Sequence, residues 1–161
     1  MSDPYSEFDA ALDAATTPEQ AYDALRDLAR ATVGAKLFTV MELDREASLA
    51  RRAYTSHPVD YPASGTKPFR MDGWFDTVVG RGETFVANHL SEIAQVFPDH
   101  ELIGSLGCGS VINLPLFDDG QVKATVNLLD AEEHYTPDRV ARAEAELRPR
   151  ALRAWAAATA A

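Results

Sequence analysis

The chain has 161 residues, of which 46% are apolar and 25% are charged, and this predicts one globular domain with a core of its own. The 15 basic and 25 acidic residues give a formal net charge of −10, which disfavours nucleic acid and anionic membranes as partners. One cysteine excludes an internal disulfide and a zinc site of several cysteines, and with no signal peptide or membrane-length apolar run we expect a cytoplasmic protein.

Two helices are predicted at the N-terminus. Asp3-Pro4 supplies a cap and a first helical residue for a helix over 4–15. Thr17-Pro18 begins a second helix in the same way, and Gly34 is placed to end it. We expect Gln20 to reach back to Thr17 in a capping box.

A pair of strands follows, and then a middle region of short elements. Lys36–Leu43 and Ser48–Thr55 predict two paired strands, the second at the sheet edge because it is charged. Pro58–Pro68 holds three prolines and is predicted to be a loop. A short helix, a strand and a helical turn are then predicted over Asp72–Val79, Thr84–Ala87 and Leu90–Phe97. Asp99-His100-Glu101 is predicted to lie in a loop before the next strand.

The last third of the chain predicts a hairpin and a helix. Cys108–Phe117 and Gln121–Leu129 flank a turn at Asp119-Gly120, a strong hairpin signal. A final helix is predicted from Thr136 toward Trp155, with Pro149 interrupting it. The order of these elements predicts an α+β fold with an antiparallel sheet.

A two-residue turn would place Ile112 opposite Asn127 and divide the hairpin into two faces. The almost wholly apolar face is predicted to pack against the terminal helices, and it carries Val111, Asn113, Pro115, Phe117, Val122, Ala124, Val126 and Leu128. The mixed face is predicted to line a small-molecule pocket, and it carries Ser110, Ile112, Leu114, Leu116, Lys123, Thr125, Asn127 and Leu129. A register slip of one residue would exchange the faces on one strand.

The hairpin sequence resembles the last hairpin of a GAF domain. The segments that carry this resemblance are LGCGSVINLPL at 106–116 and DGQVKATVNLL at 119–129, and Thr17-Pro18 and Gly82–Asn88 also resemble GAF segments. The resemblance implies a central antiparallel sheet of about six strands. Helices from both ends of the chain would cover one face, and loops and short helices would enclose a cavity on the other.

The same resemblance implies one GAF-like domain over 1–161, with its core at about 17–151, the N-terminal helix at 4–15 and a C-terminal helical tail. It further implies a small-molecule sensor. Because no output segment follows in the sequence, we expect signalling through a partner protein, and we expect a homodimer through the terminal helices. Neither a cofactor nor a metal is expected, since the four histidines lack ligand spacing.

Two alternatives to the sensor stay open. One is an enzyme similar to free methionine sulfoxide reductases, with Cys108 as nucleophile and an external thiol to resolve its sulfenic acid. The other is a ligand-free dimeric interaction module. A bilin-binding domain is disfavoured, because Cys108 is followed by Gly109 where that type usually has histidine.

The candidate ligand-binding residues combine the short middle helices with the hairpin. The aromatic ones are predicted either to stack on a ligand or to fill the cavity. Cys108 is either a reactive thiol or a small buried hydrophobic residue. The full set is Trp74, Phe75, Phe97, His100, Glu101, Cys108, Ser110, Ile112, Thr125 and Asn127.

Overall fold

The computed structural model describes residues 3–63, 66–69 and 72–160, and these include a six-stranded antiparallel sheet. The strands are β1 Leu37–Asp44, β2 Leu49–Thr55, β3 Thr66–Pro68, β4 Phe85–Ala87, β5 Ser110–Asp118 and β6 Gln121–Asp130. Their order in the sheet is β3-β2-β1-β6-β5-β4. The predicted α+β fold with about six antiparallel strands is confirmed.

The helices fall into a terminal set and a middle set. The terminal helices are α1 Pro4–Ala14, α2 Pro18–Thr32, α6 Pro137–Arg142 and α7 Arg148–Thr159, with a π-helical turn over Ala143–Leu147 between the last two. The middle helices are α3 Gly73–Phe75, which continues as a π-helical turn over Asp76–Gly80, then α4 Leu90–Ala94 and α5 His100–Ser105.

The N-terminal helices begin where their caps predict. The Asp3 carboxylate accepts hydrogen bonds from the backbone N–H groups of Tyr5 and Ser6, and the Thr17 hydroxyl accepts one from Gln20. The Gln20 side chain bonds the backbone N–H of Thr16, at 2.7 Å, and not that of Thr17. The predicted capping box is therefore displaced by one residue.

The terminal helices pack on one face of the sheet. Phe8 of α1, Leu25 of α2 and Ala151 of α7 share one buried cluster with residues of the central strands. Ile112 and Leu128 are the sheet's partners in that cluster, and both are fully buried. The middle helices cover the opposite face, as the resemblance implied.

Three local predictions about the middle and the tail are corrected. The charged strand β2 is not at the sheet edge, because β3 pairs outside it. Strand β3 lies at the end of the segment Pro58–Pro68, which was predicted to be a loop and of which Ser64 and Gly65 are outside the described residues. Helix α5 begins at His100, where a loop was predicted. The predicted interruption of the last helix takes the form of the π-helical turn before α7. Pro149 lies in the first turn of α7, where its missing backbone N–H leaves no hydrogen bond unmade.

The hairpin register differs from the prediction by a bulge. Asp119 and Gly120 both have positive φ, 54° and 75°, as a type I′ turn requires, and Asp118 pairs with Gln121 as predicted. The register then shifts between Leu116 and Phe117, so that Ile112 pairs with Leu128 instead of Asn127. Because β6 has one extra residue at this bulge, the side chains of β5 before it lie on the opposite face of the sheet from the one predicted.

The exchange reverses the predicted assignment of β5. Ile112, Leu114 and Leu116 belong to the cluster under the terminal helices, although they were predicted to face the pocket. Val111 and Asn113 instead lie on the pocket face. On β6, Ala124, Val126 and Leu128 face the helices as predicted. Val122 does not, because it lies beyond the bulge and packs with Leu43 and Val79 on the cavity side of the sheet.

No helix within the described residues is long and apolar enough to cross a membrane.

Candidate functional site

A cavity of about 320 Å³ lies between the sheet and the middle helices. Its floor comes from β1, β2, β5 and β6, and its cover comes from α3 with its π-helical turn, the segment before α5, and α5 itself. Most of the lining is apolar, including Met41, Leu43, Phe69, Trp74, Phe75, Val79, Phe97, Val111 and Leu129. Polar groups lie among these at a few positions only.

Four polar side chains cross the cavity floor in one hydrogen-bonded row. The Trp74 indole N–H donates to Asn113 Oδ1 at 2.9 Å, and Asn113 Nδ2 donates to Asn127 Oδ1 at 2.7 Å. Asn127 Nδ2 in turn donates to Thr39 Oγ1 at 3.1 Å. The row connects α3 to three neighbouring strands, because Asn113 pairs with Asn127, and Asn127 with Thr39, in the sheet register.

The indole determines which way both amides of this row point. A tryptophan N–H can only donate, so Asn113 must present its oxygen to Trp74 and its NH₂ group to Asn127. Asn127 is oriented in the same sense, with its NH₂ group toward Thr39. One amide hydrogen on each asparagine and the hydroxyl hydrogen of Thr39 make no hydrogen bond within the row.

Thr125 lies on the same face of β6 as Asn127, two residues before it. Its side chain is fully buried, and Oγ1 makes no hydrogen bond within the described part of the chain. In the sheet it lies between Met41 and Pro115. A buried hydroxyl without a partner is destabilising, so this position bears on stability.

Charged side chains gather at one wall of the cavity. The Tyr61 hydroxyl donates a hydrogen bond to the Asp99 carboxylate, and the Arg52 guanidinium lies 3.9 Å from the Tyr61 ring centre. Arg52 also donates to the carbonyl of Pro62 at 2.8 Å and lies 3.9 Å from Asp99. Burial, with the bond to Asp99, raises the pKa of Tyr61, so its hydroxyl keeps its proton at neutral pH.

Aromatic rings form much of the cover without closing the cavity. Trp74 meets Phe97 edge to face at a centroid distance of 6.1 Å, and Phe97 meets Phe85 at 6.3 Å. Phe75 packs on Phe69 at 5.0 Å. Trp74, Phe75 and Phe97 line the cavity and do not fill it, and their stacking on a ligand stays a prediction.

The structure brings four of the ten candidate residues to the cavity. Trp74, Phe75, Phe97 and Asn127 line it, and their role in binding stays a prediction. Thr125 lies on the floor face but is covered.

The other five candidates lie elsewhere. His100 and Glu101 are on α5, with His100 Nδ1 3.1 Å from the carbonyl of Phe97, and neither lines the cavity. Ser110 donates to the carbonyl of Ala131 at 2.7 Å. Ile112 is in the core under the terminal helices.

Cys108 is the fifth, and it is a buried hydrophobic residue in this structure. It packs with Ile103, Val111 and Leu129 and is 3% exposed. Burial raises the pKa of its thiol to about 11, and Asp130 adds to the shift. The thiol therefore stays protonated at neutral pH and is a poor nucleophile.

Six polar residues of the cavity lining are not among the candidate residues: Thr39, Arg52, Tyr61, Asp72, Asp99 and Asn113. Asn113 was assigned to the wrong face because the bulge was not foreseen. Thr39 lies between the apolar residues Phe38 and Val40, a pattern that indicates a half-buried strand but does not indicate which face of the strand is turned toward the cavity. The others belong to segments that meet only in the folded chain.

The described residues include no group of three or more histidine, cysteine or acidic side chains that could hold a metal ion.

Comparison with known proteins identifies this architecture. The sequence model of the GAF domain matches residues 15–145. The GAF domain/HD domain protein from Geobacter sulfurreducens is 12% identical with a TM-score of 0.68, covering 89% of this chain and 93% of its own. The GAF domain from a phosphoenolpyruvate-protein phosphotransferase of Coxiella burnetii is 17% identical with a TM-score of 0.67, covering 95% and 93%.

An enzyme also shares the fold. The free methionine-R-sulfoxide reductase from Neisseria meningitidis, solved in complex with its substrate, is 18% identical with a TM-score of 0.58, covering 98% of this chain and 93% of its own. At these identities the likeness shows the fold alone. The comparison with curated proteins finds no significant match.

Proposed function

The chain belongs to the GAF domain family, and from that premise we propose that it is a binding protein for a small molecule, without catalytic activity, that signals through a partner protein. The observation that carries the proposal is the cavity of about 320 Å³ under the sheet. Its mostly apolar wall and few convergent polar groups are typical of small-molecule sites. Fold membership by itself does not assign the ligand.

The size of the cavity restricts the ligand. Small-molecule sites span roughly 300–1,000 Å³, so this one is near the lower limit. It suits a molecule with one ring or a short aliphatic body. A tetrapyrrole such as a bilin or haem is disfavoured by its size.

The state of Cys108 supports a binding role over the reductase alternative. A thiol whose pKa is about 11 is ionised in roughly one molecule in 10⁴ at pH 7, and sulfoxide chemistry requires a thiolate. Its side chain is buried in the cluster beside the cavity and does not line the cavity. We therefore expect Cys108→Ser to leave ligand binding unchanged.

The partner, the homodimer and the cytoplasmic location remain proposals. The terminal helices α1 and α7 hold each other through Arg153 and Asp9, 2.8 Å apart, and Leu152 is exposed beside them on α7. Sedimentation velocity tests the homodimer: we expect twice the 17.5 kDa chain mass, and a monomer at all concentrations would contradict it.

The binding proposal is tested by occupying the cavity from within. Ala50 is partly buried on β2 and lines the cavity, so Ala50→Phe places a ring in the free space. We expect a bacterial small-metabolite fraction to raise the melting temperature of the wild-type protein, since a ligand that binds the folded state stabilises it. Native mass spectrometry of the same sample identifies the retained mass.

The control for this experiment is Ala141→Phe, the same change at an exposed position of α6. It should respond to the metabolite fraction as the wild type does, whereas Ala50→Phe should not. A stabilising ligand that still binds Ala50→Phe would place the site elsewhere. No retained mass and no stabilisation in the wild type would refute the proposed function.

A further inference from the structure

The polar row on the cavity floor points to a ligand class. We propose that the cavity takes an uncharged molecule with an apolar body and one carbonyl-type oxygen, such as an amide, a lactam or a ketone. This inference rests on the proposed binding function. It follows from the hydrogen bonds of the floor and from the charges of the wall.

The floor has more hydrogen-bond donors than its own residues can use. Asn113 and Asn127 each spend the amide oxygen and one N–H on the row that starts at Trp74, which leaves one N–H on each. Thr39 accepts from Asn127, and its hydroxyl hydrogen has no acceptor within the described residues. Buried donors need acceptors more strictly than carbonyl oxygens need a second donor. An oxygen acceptor on the ligand meets this need.

The charges of the lining argue against an anionic acceptor. The described lining carries one guanidinium, Arg52, against the carboxylates of Asp72 and Asp99, so it has no surplus positive charge for a carboxylate. Asp99 is held by Tyr61, and Asp72 caps α3 by accepting the N–H of Phe75 at 2.9 Å. A carboxylate on the floor would lose its hydration and meet only neutral donors, inside a chain of net charge −10.

A cationic head group fits the floor no better. The leftover N–H and O–H groups of Asn113, Asn127 and Thr39 would face the N–H groups of an ammonium, which has no acceptor to offer. A purely apolar molecule would leave the donors unpaired. The apolar body of the ligand is accommodated by the rings of Trp74 and Phe97.

Four probes with one body and different heads test this inference: benzamide, benzoate, benzylammonium and toluene. Binding is followed by NMR of the tryptophan indole N–H groups, of which the chain has two. Trp74 reports on the floor, and Trp155, on α7, is the internal reference. We expect benzamide to bind about tenfold more tightly than each of the others, the value of one or two good neutral hydrogen bonds.

Two variants of Asn127 show whether the floor is responsible. Asn127→Leu should reduce the benzamide preference to about twofold or less. Gln121→Leu, which also replaces a side-chain amide with leucine but at an exposed position of β6, should retain it. Asn127→Asp replaces the donor with a carboxylate and should turn the preference toward benzylammonium.

A preference of the wild type for benzoate or benzylammonium overturns the inference, as does a benzamide preference that survives Asn127→Leu. Binding of the probes with no head-group preference also overturns it but leaves the proposed function standing. If no probe binds, the inference fails. If the metabolite fraction also gives no stabilisation, the proposed function fails with it.

Discussion

At the scale of single residues, the cavity face holds two similar hydroxyls in different states. Thr39 on β1 accepts a hydrogen bond from Asn127, whereas Thr125 on the adjacent strand is fully buried, and its Oγ1 has no partner among the described residues. Valine has nearly the same shape as threonine, so Thr→Val at either position replaces only the hydroxyl with a methyl group. The effect on stability then depends on what each hydroxyl contacts.

We predict that Thr125→Val raises the free energy of unfolding by about 1 kcal/mol, because it removes a buried hydroxyl that has lost water and has no partner among the described residues. Thr39→Val is the matched control and should lower it by about 1 kcal/mol, since it leaves an Asn127 N–H without its acceptor. Urea unfolding measures both. A destabilised Thr125→Val would mean that the hydroxyl has a partner.

Cys108 gives a second prediction at this scale. Because burial holds the thiol pKa near 11, its alkylation by iodoacetamide should accelerate about tenfold for each pH unit between 7 and 10. At pH 7.5 the native protein should react roughly 300-fold more slowly than the chain in urea, where the thiol has its ordinary pKa near 8.5. With one cysteine in the chain, mass spectrometry reads the rate directly. Equal rates would show an accessible, ionised thiol.

At the scale of elements, the end of α2 depends on one glycine. Gly34 has φ +95°, and a Cβ there would lie 2.4 Å from Nε2 of His134, which contacts the carbonyl of Val33 at 2.9 Å. This contact joins the last turn of α2 to the segment that precedes α6. Both the backbone conformation and the space therefore require glycine.

Gly34→Ala should lower the free energy of unfolding by more than about 1 kcal/mol. Gly73→Ala, at the start of α3, is the matched control, because a Cβ there would have no atom of the described residues within 4 Å apart from its chain neighbours and the backbone of its own helix. We expect the control to be neutral or slightly stabilising. Thermal unfolding measures both, and similar melting temperatures for the two variants would contradict the role of Gly34.

At the scale of the whole molecule, the two layers on the sheet differ in how they are built. The terminal layer contains helices of 11, 15 and 12 residues packed on the main core, whereas α3, α4 and α5 have 3, 5 and 6 residues. Helices that short are not stable by themselves and depend on their tertiary contacts. The cavity thus lies under the layer with the weaker local structure.

We predict that amide hydrogens of α3, α4 and α5 exchange faster than those of α2 and β6, because local opening of the cavity cover costs less than global unfolding. Hydrogen exchange with mass spectrometry measures the difference. A ligand in the cavity should slow exchange in the cover more than in α2. Uniform protection across both layers would contradict a mobile cover.

The sequence by itself determined the types of most elements, the helix caps, the hairpin turn and the α+β order, because these depend on neighbours within a few residues: Asp3, Thr17 and Gly120 act locally. The resemblance to GAF domains added the layering of the sheet.

The tertiary structure decided three features: the strand outside β2, helix α5, and the bulge that turned Ile112 away from the cavity. One extra residue in a hairpin leaves little trace in the sequence, yet it inverts a strand's faces. For the same reason the floor formed by Thr39, Asn113 and Asn127 became visible only when three strands were placed side by side.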